Sequence, residues 1–171
     1  MSDQVINCSL QYGYVNVESN QYNEDEAGKT YDICDELGPD ITNYRLKKIS
    51  YSLSEKNYIV KIKMEYINKN DKTLKILETP TWEGLEGKEE EYELDDDEEI
   101  INVNAYLKKN ILVGFEIITN KDKNKKIGFC EQGEVVTEDD MKAGDKIVCG
   151  FAFSSCKKHG VYGICFYFID K

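Results

Sequence analysis

Arginine and histidine each occur once, at Arg45 and His159; tryptophan occurs once, at Trp82, and proline twice. The scarcity of histidine closes off a class of function. One histidine leaves no second imidazole to share a metal ion, and no Ser/His/Asp or Cys/His arrangement is marked by spacing. No pair of cysteines has the CxxC spacing of a metal knuckle or redox motif. Neither an enzyme nor a metal or other cofactor is expected. Positive charge is also in deficit: 22 lysines and arginines face 33 acids, a formal net charge of −11. Phosphate backbones and anionic bilayers both call for clustered basic residues, so neither nucleic acid nor a membrane is the expected partner. No apolar run approaches the roughly 18–20 residues of a membrane span. Residues 1–25 show no basic-then-apolar leader, which makes the cytosol the expected compartment. There the six cysteines (Cys8, Cys34, Cys130, Cys149, Cys156, Cys165) are expected as free thiols.

What the chain has in quantity is β patterning. In residues 58–66, Tyr58, Val60, Ile62, Met64 and Tyr66 share one face, while Lys61, Lys63 and Glu65 lie on the other with Ile59. Residues 45–53 alternate similarly, imperfectly enough to predict a bulge. Further strands are expected at 10–17, 73–77, 90–94, 99–107, 112–120, 126–130 and 134–137, with turn clusters between them. Short strands at roughly 8–12-residue spacing predict an all-β sandwich, barrel or prism. A single helical turn is allowed at 137–142, with Thr137 as its cap. Residues 19–40 are polar and irregular and are expected to form a long loop in one domain of 171 residues.

The end of the chain is the most informative part. Two apolar strands, 147–153 and 161–169, flank a short polar loop at 154–160 in the sequence GDKIVCGFAFSSCKKHGVYGICFYFID. Both faces of the second strand are apolar or aromatic, so it should be covered on both sides. This pair resembles the last hairpin of jacalin-type lectin domains, in which a "GxKIVGF" strand, a sugar-binding loop and an "IGxY" strand close the fold. Upstream, 98–103 (EEIINV) is similar to the family's "EYItsV", and 113–121 (VGFEIITNK) to the strand ending "TNK". Residues 46–53 and 58–64 are similar to its "ItkI" and "IdsIkF" strands. The likeness spans roughly 44–169 in the correct order. It implies a β-prism I fold, three antiparallel Greek-key sheets around a pseudo-threefold axis.

The resemblance also locates a sugar site and shows it altered. The family's terminal loop has the form GxxxD, whose aspartate accepts bonds from sugar hydroxyls. Setting Tyr162 and Gly163 on the family's "IG" places Cys156, Lys157, Lys158, His159 and Gly160 on that loop. The glycine has become Cys156 and the aspartate Gly160, and no acid occurs between Asp145 and Asp170. At the family's glycine-rich N-terminal start, Gln11, Tyr12, Gly13 and Tyr14 supply one glycine. A rewired site would use Lys157, Lys158 and His159. Cys156, beside those cations, is the best candidate for a lowered thiol pKa.

Two further features could serve a partner. Residues 86–99, EGKEEEYELDDDEE, are strongly acidic, and Glu89, Glu90, Glu91, Asp95, Asp96 and Asp97 could dock a basic protein. Trp82, in TPTWEGLEG, could stack on a sugar or anchor a protein. Asn120, Asp122, Asn124, Ile127 and Glu131 fall at calcium-loop positions. However, Lys125 stands where the turn needs glycine, so a hairpin is expected there. The lost carboxylate and absent leader favour a non-enzymatic β-prism module making protein contacts in a cytosolic assembly, with a cytoskeletal or ciliary setting as the guess at context. The alternative is a carbohydrate-binding lectin with an altered loop.

Overall fold

A computed structural model describes residues 4–13, 28–56 and 58–171. Its strands are β1 (Asn7–Cys8), β2 (Lys29–Asp32), β3 (Tyr44–Leu53), β4 (Ile59–Asn68), β5 (Leu74–Glu78) and β6 (Lys88–Glu93). They continue with β7 (Ile100–Lys108), β8 (Ile111–Thr119), β9 (Asn124–Gly128), β10 (Glu134–Thr137), β11 (Lys146–Cys156) and β12 (Gly160–Asp170). Three long hairpins, β3–β4, β7–β8 and β11–β12, organise the chain. After each of the first two, the next strand pairs with the hairpin's second arm and the following one with its first. The resulting orders are β5-β4-β3-β6 and β9-β8-β7-β10. On the third hairpin the N-terminal strands take the same roles, β1 on β12 and β2 on β11. Three antiparallel four-stranded Greek-key sheets result, and the β-prism is closed by the two ends of the chain meeting. The first and third sheets touch through one registered pair, Val161 with Ile59.

The alternation expected of the sequence sets the inner faces. On β4, Val60, Ile62, Met64 and Tyr66 are buried, and Lys61, Lys63 and Glu65 are half-buried on the opposite face. Phe115 of β8, Phe151 and Phe153 of β11 and Phe166 of β12 meet at the centre with ring centroids 5.8–6.4 Å apart. These rings gain edge and offset contacts beyond their buried area. Tyr66 is fully buried among them, and its hydroxyl accepts the Phe151 N–H at 3.2 Å. That bond satisfies an amide which the irregular stretch of β11 at 148–150 leaves beside a register shift. The imperfect alternation of 45–53 has the same cause: register shifts fall at Leu46–Lys48 and at Ser52–Leu53.

Four sequence expectations change. Residues 19–40 are not one long loop: beyond 27 they form β2, the helix α1 (Ile33–Leu37) and a 3-10 turn (Gly38–Asn43). Asp32 caps α1 by accepting the Cys34 N–H at 2.8 Å. Ile33, Leu37 and Ile41, four residues apart, are buried. Any Cβ on Gly150 would lie 2.2 Å from Ile41. Residues 14–27 lie outside the described ones. The strand expected at 10–17 is instead the short β1 with an isolated bridge between Tyr12 and Ile164, and its remainder lies in that same stretch. Thr137 caps nothing; its hydroxyl donates to Asn104 at 2.7 Å, and the turn after it is 3-10 over Asp139–Met141. The loop expected at 154–160 is shorter, because both strands run on to pair Cys156 with Gly160.

β12 is covered on both sides, with Ile164, Phe166 and Phe168 buried and Cys165 and Tyr167 half-buried. Replacing Phe166 by alanine should cost about 3–5 kcal/mol through the cavity it leaves. Urea unfolding measures this directly; an unchanged midpoint would mean the ring is not in the core.

Candidate functional site

The β11–β12 hairpin ends in a turn of three residues, Lys157, Lys158 and His159, followed by Gly160. Gly160 has φ +65°, the left-handed conformation that commonly closes a hairpin turn. Glycine is required there for a second reason. A Cβ at 160 would lie 2.4 Å from the Ile59 carbonyl oxygen on β4, at the seam between two sheets. The position matching the family's aspartate is thus one where no side chain fits.

Cys156 is buried, as are Ser154 and Ser155 before it. Burial pushes its thiol pKa up, against the backbone N–H groups of His159 and Lys158 and the Lys158 charge, which pull it down. The expected reactive cysteine is corrected: desolvation outweighs the neighbouring cations. His159 is half-buried rather than a freely exposed loop residue. Tyr58 meets its ring edge-on at 5.8 Å, and its Nδ1 is buried without a partner among the described residues. Its pKa is held below the ordinary value, chiefly by burial and then by Lys158, so the ring is neutral near pH 7.

Behind the turn lies a polar set that the sequence did not mark. Gln11 Nε2 donates to Ser154 Oγ and to the Gly13 carbonyl, each at 3.3 Å, and Thr30 Oγ1 lies 3.4 Å from Ser154 Oγ. Gly13, with φ +88°, packs so close to β12 that a Cβ would lie 2.2 Å from the Tyr162 carbonyl oxygen. The N-terminal segment therefore reaches the closing hairpin, as in the frame the sequence resembles. Trp82 joins it. Its Nε1 donates to Ser155 Oγ at 2.9 Å, which leaves the indole half-buried beside the hairpin.

The acidic residues do not join this group. Glu89, Glu90 and Glu91 sit on β6, opposite Ser52, Tyr51 and Ser50 of β3. Tyr51 donates to Glu90 at 2.9 Å, and Lys48 pairs with Glu91 at 2.8 Å. Asp96 is held by Arg45, Asp97 by Lys121, and Asp95 by Lys123 at 2.8 Å and Lys121 at 3.5 Å. Asp96 and Asp97 border a cavity with Ile147 and Ile169, at the far end of β11 and β12 from the turn. Glu98 is buried. Burial works against its charge, yet the Asp95 N–H at 3.0 Å, with bonds from Thr119, Lys123 and Tyr92, holds its carboxyl below the ordinary value. Much of the acidic segment is thus neutralised by lysines and an arginine of the same chain. No group of three or more His, Cys, Asp or Glu side chains among the described residues could hold a metal ion. The calcium-like spacing after Asn120 is a hairpin whose Lys125 lies over the rings of Tyr51 and Tyr92, 5.9 and 5.8 Å from their centroids.

Residues 11–162 match the jacalin-like lectin domain family. The chain belongs to that family. Among solved structures it is similar to the Calystegia sepium agglutinin, with TM-score 0.67, 16% identity and 98% of each chain covered. It is also similar to frutapin, a lectin from Artocarpus incisa, with TM-score 0.63, 15% identity and 99% of each chain covered. A mannose-binding jacalin-related lectin from Ananas comosus gives TM-score 0.59 and 15% identity, covering 97% of this chain and 99% of its own. At such identities the likeness fixes the fold alone. No curated protein matches the chain.

Two outcomes follow from this geometry. A Gly160→Asp variant should lose stability rather than gain a sugar site, because the left-handed backbone alone costs about 1–3 kcal/mol and the Ile59 carbonyl leaves no room. Thermal melting with titration of mannose checks it; an unshifted melt with new mannose affinity would contradict the assigned packing. A thiol reagent should count six free cysteines after denaturation and modify exposed Cys8 in the native protein. Cys156 should stay protected until unfolding, and rapid native labelling of it, read by mass spectrometry, would contradict its burial.

Proposed function

We propose that the chain is a carbohydrate-binding lectin whose sugar-binding loop is rewired, working through Lys157, Lys158, His159 and Gly160 with Trp82 alongside. One observation carries this reading. The strand–turn–strand frame is kept at atomic closeness, with the N-terminal Gly13 against β12 and Trp82 bonded to Ser155, although the loop carboxylate is gone. Domains of this family are non-enzymatic binding modules, which supports a binding role for the chain. Related folds include a lectin solved with a biantennary N-glycan and the mannose-binding pineapple lectin. With lysines, backbone amides and a neutral imidazole in place of an acceptor carboxylate, the turn is richer in donors than in acceptors.

The protein-interaction reading has less behind it. Four of the six carboxylates it would use, Glu91, Asp95, Asp96 and Asp97, already face basic side chains of the same chain, and no residue argues for a cytoskeletal or ciliary setting. Six free thiols support a reducing compartment as part of the proposal.

Trp82 is the chain's sole tryptophan and lies at the hairpin, so its fluorescence reports binding there. Neutral mono- and disaccharides should bind weakly, at about millimolar Kd or above, since each lost charged hydrogen bond is worth roughly 1.5–3 kcal/mol. A broad glycan array should still return ligands that shift Trp82 emission saturably. An array without a single binder, together with a protein that co-purifies through residues 89–97, would overturn the lectin reading.

A further inference from the structure

In a chain with 33 acids and 22 basic residues, charge is not evenly spread. The three long hairpins all turn at the same end of the prism. Their turns carry Ser54, Glu55, Lys56 and Tyr58 in the first, Lys108, Lys109 and Asn110 in the second, and Lys157, Lys158 and His159 in the third. Five lysines, Lys56, Lys108, Lys109, Lys157 and Lys158, stand there against one acid, Glu55. The turns converge on one pocket of about 220 Å³, to which Lys56 and Tyr58, Lys108 and Lys109, and His159 each contribute from a different hairpin. Gln132 adds an amide, Ile111 and Val113 an apolar wall, and no carboxylate lines it.

Like several other lysines, Lys56, Lys108 and Lys109 stand outside the ion pairs of the fold among the described residues, and what sets them apart is that they gather at one pocket. The chain's ion pairs use Arg45, Lys48, Lys61, Lys63, Lys121, Lys123, Lys142 and Lys146. None involves Lys56, Lys108, Lys109 or Lys157 among the described residues. Lys109 and Asn110 also hold left-handed backbone, φ +51° and +64°, the paired conformation of a tight type I′ turn. Asn-Gly is the usual occupant of such a turn, so a lysine stands at its tip against local preference.

We infer that this three-turn pocket, lined by Lys56, Lys108, Lys109 and His159, binds an anionic saccharide, one bearing sulfate, carboxylate or phosphate. The inference rests on the lectin reading and specifies its ligand class. Ammonium groups from separate hairpins can surround one acidic substituent, while Gln132, Tyr58 and the neutral ring of His159 are left for hydroxyls. The pocket is smaller than the roughly 300–1,000 Å³ typical of drug-sized ligands, which fits one charged sugar unit with the rest of an oligosaccharide running over the Lys157–His159 turn. A nucleic acid is the poorer fit, since the net charge of −11 repels a long polyanion while a short acidic sugar meets only the basic end.

The test is calorimetric titration of the whole protein with four probes at 50 and 200 mM salt: a sulfated heparin disaccharide, a uronate disaccharide, mannose 6-phosphate and neutral mannobiose, with a short DNA duplex for comparison. At least one acidic sugar should bind tenfold or more tightly than mannobiose, weaken with salt, and identify which acidic group is recognised. The double variant Lys108→Gln, Lys109→Gln should weaken that binding about tenfold or more and flatten its salt dependence, with the thermal melt unchanged. Lys121→Gln, at the far end, should leave binding as it is and serves as the folding-independent control. Binding of mannobiose alone would overturn this inference and leave the lectin reading standing. Failure of every saccharide, acidic and neutral, would remove both. Duplex DNA bound as tightly as the best acidic sugar, or full acidic-sugar affinity in the double lysine variant, would also overturn it.

Discussion

The closing hairpin β11–β12 is the constraint on which the rest of the molecule depends. Its strands carry Phe151, Phe153 and Phe166 into the centre, where they meet Phe115 of the second sheet and Tyr66 of the first. They also receive β1 and β2, so the N-terminus must return to the C-terminus before the third sheet exists. Such long-range pairing is costly in loop entropy and is repaid only when the central aromatic contacts form. Once they do, the ends of all three hairpins are fixed relative to one another without any contact having to be made between the turns themselves.

That rigidity explains how one pattern can lose its usual chemistry and keep its shape. Gly160 sits where the backbone of β12 crosses Ile59 of β4, at the single registered pair between two sheets. A side chain there would push the sheets apart, so a carboxylate cannot be put back without reshaping the seam. The neighbouring Lys157 and Lys158 escape that restriction because they are exposed, while His159 is half-buried against Tyr58. Charge could therefore change sign at Lys157 and Lys158 while the prism remained intact. At the opposite end, Arg45, Lys121 and Lys123 hold the acidic segment against the body of the fold. On the edge strand β6, its charges discourage pairing with a further chain.

Most of the fold was legible because alternation on a half-buried strand is written directly in the residues. Residues 58–66 show their faces without any tertiary information. Where both faces are apolar, as on β12, periodicity alone gave no face, and the order of several such segments had to supply the fold. The stretch after residue 27 was misread because its polar residues outnumber Ile33, Leu37 and Ile41, whose spacing of four spreads one buried stripe over two short helical turns. The candidate site was half legible. Lys157, Lys158 and His159 could be placed by their frame, whereas Lys56 and the pair Lys108–Lys109 lie far from them and from each other along the chain and look like ordinary turn lysines. A signal was available: the three hairpins are equivalent by pairing pattern, so their turns share an end, and the lysines in them could have been added together. Cys156 shows the opposite failure. Its sequence neighbours are cationic, but its side chain points inward, and burial decides the pKa.

The central claim is that ligand recognition resides at the turn end and not on the acidic segment. Backbone amide chemical-shift mapping of isotopically labelled protein during titration with a sulfated disaccharide tests it most directly. The account predicts saturable shifts at Lys56, Tyr58, Lys108, Lys109, Ile111 and residues 157–160, with the Trp82 indole N–H moving alongside. Residues 89–98 should stay still. Shifts confined to 89–98, or spread evenly over every surface lysine, would contradict it.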